Sequence, residues 1–338
     1  MHQKKASLIT VFTLMVSLLV SAQTARAQGA PSQIDISALQ QMAAKQVLVS
    51  ARSQRADIRA NAIEAAEALP RRRGVLAEAG LRDPDPVVRF ASLVVIGKMK
   101  IVAVAAGARN LINDPNDSVR AAAYFALARC FGTNRNANPM AIDITPIAAM
   151  ALSENPNTRA NAALILGLLG DKSSIQLLRA AATRSAPRVA QVKQRLVNLQ
   201  IAEAIVRLGD NDAIDAIRAG AFSQFDEVRV DAINMLGRAG DRRFEPAFLQ
   251  ILDADTPIEV KVAASGTLAR FGRGEGLDVV LKSALSDNPV LRAQAAYVLG
   301  LFRNQPAMQL LGRMLNDKSE QVRISAAAAI LGGGRDGL

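Results

Sequence analysis

An arginine returns in the same local setting about every thirty residues, and few architectures keep such a beat. The segments DPDPVVRFASLVVIG (83–97), DPNDSVRAAAYFALA (114–128), ENPNTRANAALILG (154–167), FDEVRVDAINMLG (225–237), DNPVLRAQAAYVLG (287–300) and DKSEQVRISAAAAIL (317–331) carry it. The marker arginines are Arg89, Arg120, Arg159, Arg229, Arg292 and Arg323; Arg59 fits the frame upstream, and Lys261 takes the place between Arg229 and Arg292. Apart from one long gap after Arg159, successive markers stand 30, 31, 39, 32, 31 and 31 residues apart. A fixed period of this length predicts stacked repeats rather than a compact domain.

Within each period, punctuation and polarity predict two helices. Asp or Asn clusters (Asp83/Asp85, Asp114/Asp117, Asn155/Asn157, Asp226, Asp255, Asp287, Asp317) stand where a second helix begins and offer oxygens to its unpaired first-turn amides. Pro86, Pro156, Pro257 and Pro289 fit first-turn or turn positions. The residue before the marker and those three and seven after it share one helical stripe, which predicts the core: Val88/Ser92/Ile96, Val119/Ala123/Leu127, Val228/Ala232/Leu236, Leu291/Ala295/Leu299 and Val322/Ala326/Ile330. Gly97, Gly167, Gly237 and Gly300, each eight past a marker, are expected to admit a neighbouring backbone. The acidic residue five or six places before each marker suggests a ladder of ion pairs between successive repeats.

The motif Asp-x-x-x-x-Val-Arg-x-x-Ala-Ala-x-x-Leu-Gly resembles the HEAT repeat, in the short form named after the phycobilisome-lyase group. The resemblance covers approximately residues 50–332 and implies an all-α fold: an α-solenoid superhelix of about nine helical hairpins over 51–338, preceded by an N-terminal segment and helix at 28–50. One unit near 187–210 departs from the pattern, with Gln200-Ile201 where the arginine belongs, and residues 131–145 are an insertion read as an edge loop. The glycine-rich end, 332–338, offers no polar cap, so the last apolar face is either open to end-to-end association or covered by that tail.

The first 27 residues read as a leader. Lys4 and Lys5 precede an uncharged, mostly apolar run from Ala6 to Ala22, and Ala25-Arg26-Ala27 offers a cleavage site. The strongly apolar part, Leu8–Val20, is short of the ~20 residues that span a bilayer, so no stable membrane span is expected after cleavage. The expected location is periplasmic or secreted, which argues against a nucleic-acid partner. Loss of Lys4, Lys5 and Arg26 leaves 38 basic against 30 acidic residues, a net of +8 that gives a weak preference for acidic partners.

Chemistry is hard to find. His2 is the only histidine and leaves with the leader, so no imidazole serves acid–base work or metal ligation. The His-Glu pairs of the HEAT-like deoxyhypusine hydroxylases do not occur, and the tryptophan of HEAT-like alkylpurine glycosylases is missing. Asp83/Asp85, Asp210/Asp212 and Asp253/Asp255 lack the register of a calcium loop and read as helix caps. Gly272–Gly276 follows a helix and reads as a turn. Cys130, the lone cysteine, occupies a place held elsewhere by apolar residues. The sequence therefore implies no enzyme, no cofactor and no metal.

One column of the second helices invites a partner. Positions one and five past the marker point roughly away from the core stripe, and in the resembling family these helices line the concave face. The column is nearly uncharged and includes Phe90, Val94, Phe125, Leu164, Asn234 and Tyr297. Such a surface suits an apolar polypeptide segment, with the aromatics as anchors. The alternative is tight curvature, in which adjacent second helices bury these side chains against one another. The expectation is a non-enzymatic scaffold that binds an unidentified protein on the concave face, or else a ligand-binding or accessory module of an envelope enzyme complex.

Overall fold

The computed structural model describes residues 34–184 and 189–332. The chain divides into Met1–Asp35 and Ile36–Leu338, and only the second is treated below. The expected leader and the tail at 333–338 lie outside the described residues.

Among the described residues, eighteen α-helices pair into nine hairpins. The odd-numbered, first helices are α1 Ile36–Ser50, α3 Arg73–Gly80, α5 Val102–Ala105 with a 3-10 extension to Asn113, α7 Pro146–Ala151, α9 Ile175–Ala182, α11 Ile214–Gly220, α13 Glu245–Asp253, α15 Leu277–Ser283 and α17 Gln305–Met314. The second helices are α2 Ala56–Ala65, α4 Pro86–Met99, α6 Asp117–Phe131, α8 Pro156–Leu169, α10 Gln191–Arg207, α12 Asp226–Ala239, α14 Ile258–Arg270, α16 Pro289–Phe302 and α18 Glu320–Leu331. No described helix is long and apolar enough to cross a membrane.

At four second helices local chemistry acts where the sequence indicates, whereas α12, α14 and α18 begin without a side-chain cap, so Asp226 and Asp255 are not the caps expected of them. Asp85, Asn116, Asn155 and Asn288 accept first-turn amides, and Pro86, Pro156 and Pro289 fill the following position. Gly170 and Gly240 end α8 and α12 in the left-handed conformation that lacks a Cβ penalty. All fifteen residues of the predicted core stripe are buried. Gly272–Gly276 is a turn, and the insertion is an edge loop pinned by Arg109 Nη2 donating to Met140 O at 2.6 Å and by burial of Ala141 and Ile142. Cys130 is half-buried rather than core, with its thiol pushed up by desolvation.

The marker arginine performs two jobs. Arg89 Nη1 donates to Asp83 O and Pro84 O, closing the turn of its own hairpin, while Nε and Nη2 grip Asp114 of the next at 2.8 and 3.0 Å. Arg59 does the same toward Asp83, and Arg292 toward Asp317. The gripped aspartate is not the helix cap: Asp83 Oδ1 also accepts the Asp85 amide two residues on, and Asp114 and Asp317 act likewise. The expected ladder exists at these three junctions, where each fork-to-carboxylate pair is geometrically specific.

Elsewhere the ladder turns neutral. Arg229 reaches Thr256 Oγ1 at 2.6 Å, Arg120 pairs within its own helix with Asp117, and Arg159, whose Nη1 donates to Ser153 O in its own hairpin, meets Gln194 Oε1 across the junction at 3.1 Å. Gly170 and Gly240 lie eleven residues past their markers, and counting back equally from Gly209 puts Asn198, not Gln200-Ile201, in the arginine's place. Arg159 is 1% exposed, its Nε has no partner, and desolvation first, then Arg184, pulls its pKa down. Substituting Gln194→Glu is expected to supply the missing carboxylate and raise stability by about 1–2 kcal/mol in urea titration; a destabilised variant would mean the guanidinium is already satisfied by water.

Successive second helices pack side by side, and the series does not end at α18. That helix packs on both α1 and α2. Ser53, six residues before Arg59 and thus in the ladder aspartate's position, donates its hydroxyl to Glu320 Oε2 at 2.5 Å. A Cβ on Gly312 would lie 3.2 Å from Leu39 Cδ1. The nine hairpins therefore close into a ring. The last apolar face is not open: the first hairpin covers it.

Candidate functional site

Ring closure turns the concave face into the wall of a central cavity of about 660 Å³. Its lining comes from hairpins far apart in sequence: Glu64 and Glu67 from the first, Val94 and Lys98 from the second, Leu164 and Leu168 from the fourth, Arg207 and Arg238 from the fifth and sixth, Tyr297 from the eighth, Ile324 and Ser325 from the ninth. In the marker frame these are mostly positions two, five and nine. Steps of three and four residues keep a helix on one face, so the exposed stripe is rotated from the expected one-and-five column.

The six candidate residues divide accordingly. Val94, Leu164 and Tyr297 line the cavity. Phe90 is half-buried against the core, and Asn234 is half-buried outside the lining. Phe125 is 1% exposed: it lies over Gly97, where an added Cβ would come within 2.3 Å of its ring. The position-one residues Ala60, Ala121, Val262 and Ala293 are buried too. Tight packing between second helices therefore holds for these members, while Val94, Leu164 and Tyr297 face the open space. Of the glycines eight past the marker, Gly167 and Gly300 meet a neighbouring backbone, whereas Gly97 and Gly237 meet side chains of Phe125 and Thr267.

Sequence reasoning missed the charges at position nine. Lys98 binds Glu67 at 2.9 Å. Arg238 binds Glu203, a 3% exposed residue of α10, at 2.7 Å, with Arg207 at 4.0 Å from the same carboxylate. Arg270 Nη2 donates to the Tyr297 hydroxyl at 2.5 Å. The signal was available: a basic residue recurs one helical turn beyond position five at Lys98 and Arg238.

The enclosure alters acidity. Glu64 is exposed to the cavity yet has protein on most sides, and this desolvation, reinforced by Glu67 and opposed by Lys98, raises its pKa above 4.5. Asp231 rises likewise by desolvation, with Arg238 opposing and Glu203 adding. A carboxyl with a raised folded pKa favours the fold at low pH, and that contribution disappears as pH rises through the folded value. Glu64→Gln is therefore expected to gain thermal stability over the parent as pH increases above 4.5, read as the difference in Tm between acidic and neutral buffer. A pH-independent difference would mean the carboxylate is fully hydrated.

Among the described residues no three His, Cys, Asp or Glu side chains gather to hold a metal. The wall carries apolar patches, held guanidinium groups, a phenol and a carboxylate.

A family model of HEAT repeats matches residues 105–196 and 245–332, just over half of the chain. Among solved structures, the complex of CpcE and CpcF of phycocyanin lyase from Nostoc is 18% identical, over 70% of this chain and 92% of that one, with a TM-score of 0.37. Human deoxyhypusine hydroxylase in complex with glycerol is 13% identical, over 87% and 94%, with a TM-score of 0.37. No curated protein matches the sequence.

Proposed function

Because this chain belongs to the HEAT-repeat family, we propose that it is a non-enzymatic protein-binding scaffold of the periplasm or cell exterior, which holds a segment of its partner in the central cavity. One observation carries this reading. Among the described residues, side chains as distant in sequence as Val94, Leu164 and Tyr297 converge on a space of about 660 Å³, although alanine and glycine pack the junctions around it closely. That volume lies in the range of small-molecule sites, roughly 300–1,000 Å³, which suits a few side chains of an inserted segment. Export rests on Lys4-Lys5, the apolar run after them and Ala25-Arg26-Ala27. The non-catalytic part rests on a sequence whose single histidine is His2.

The test is capture from an envelope fraction at low and high salt, comparing the parent with Leu164→Glu and Tyr297→Ser. Both side chains are half-buried at the cavity wall, so far-UV dichroism should stay unchanged while capture of a specific protein falls. Capture that persists in both variants, or that vanishes with added salt, would move the partner to the basic outer surface.

A further inference from the structure

We propose that the central cavity recognises a cation on an apolar body, a primary ammonium or guanidinium group, with Glu64 as its counter-ion. This deepens the proposed function, since it specifies what the cavity reads.

Charge pairing on the wall is the starting point. Lys98 is 2.9 Å from Glu67, and Arg238 and Arg207 share Glu203 at 2.7 and 4.0 Å. Among the described residues, Glu64 is the charged lining group with neither a hydrogen bond nor an ion pair. It stands on α2, in the first hairpin, whereas the guanidinium groups stand on the fifth and sixth, across the ring. A carboxylate that protein surrounds on most sides, and that no hydrogen bond or ion pair satisfies, costs the fold free energy. A bound cation would remove that cost.

The surroundings set the rest of the ligand. Val94, Leu164, Leu168 and Ile324 line the same space and suit an aliphatic body. Lys98 acts on Glu64 electrostatically but spends its short contact on Glu67. The preference is local and opposite in sign to the chain's net charge of +11.

The experiment titrates the purified full chain with hexylammonium, hexanoate and hexanol, monitored by calorimetry. The three probes share a body and differ in charge. Hexylammonium is expected to bind about tenfold tighter than hexanol and hexanoate, a discrimination typical of one desolvated ion pair. Glu64→Gln, nearly isosteric and expected to be at least as stable, should remove that preference while leaving hexanol unchanged. A second arm with the peptide Ac-Leu-Lys-Leu-NH2 separates the sources of the cation: tighter binding than hexylammonium assigns it to an inserted polypeptide, weaker binding to a free amine. Equal binding of hexanoate, a preference that survives in Glu64→Gln, or no saturable binding of hexylammonium overturns the proposal and leaves a water-filled cavity. Partner capture that depends on Leu164 and Tyr297 would survive such a failure, so the two readings fall separately.

Discussion

Phe125→Ala is expected to destabilise the ring by about 3–5 kcal/mol, the range for deleting a fully buried aromatic ring. Phe125 is 1% exposed and fills the space above Gly97, so its removal leaves a cavity between α4 and α6 that rigid helices on both sides close only in part. A double-mutant cycle makes the cause specific. In the parent, Gly97→Ala would place a methyl 2.3 Å from the Phe125 ring, an overpacking that costs about 1–3 kcal/mol. Without the ring, the same methyl meets empty space and gains helix propensity of about 1 kcal/mol. Gly97→Ala should therefore change sign between the two backgrounds in urea titration. Additive effects would show that the helices separate freely. An unaltered stability for Phe125→Ala would return this side chain to the surface, where the sequence had offered it as a partner anchor. Tyr297→Ser contrasts with it: a half-buried cavity residue, whose loss should cost far less.

Val47→Asp tests ring closure and should rank next. Val47 is fully buried, with Leu39 and Ala43, on the face of α1 against which α2 and α18 pack. Placing a carboxyl there without a partner costs about 2–7 kcal/mol. In a linear solenoid α1 would be a terminal helix, free to fray, and the charge would escape with it. In a closed ring, the charge must break the junction to α18, more than 270 residues away in sequence. Native-state hydrogen exchange should then accelerate in α18 as well as in α1, together with a large fall in Tm. Faster exchange confined to α1, with a small loss of stability, would mean the ends meet too weakly to matter. An opened junction also exposes Ile324 and its neighbours, so self-association of the variant is a secondary readout.

Local features of this protein were written in its sequence. The marker arginines, the caps at Asp85, Asn116, Asn155 and Asn288, the buried stripe through Val88, Ser92 and Ile96, and the number of hairpins all depend on residues a few positions apart. Helix geometry converts such spacing directly into a face. Even the two-sided grip of Arg89 leaves a trace in the aspartate six residues ahead of the following marker.

Ring closure and the sorting of the position-five column came only with the tertiary structure. Phe125 and Leu164 hold the same place in the repeat, yet one is buried and the other lines the cavity. The neighbours across each junction differ, a phenyl ring over Gly97 and an alanine against Gly167, and in a stacked-repeat fold curvature follows from small rotations between successive units. These small angles add around nine hairpins, and no single period contains their sum. Whether Ser53 would reach Glu320, or Glu64 be left facing a cavity without a partner, was decided by that accumulated angle.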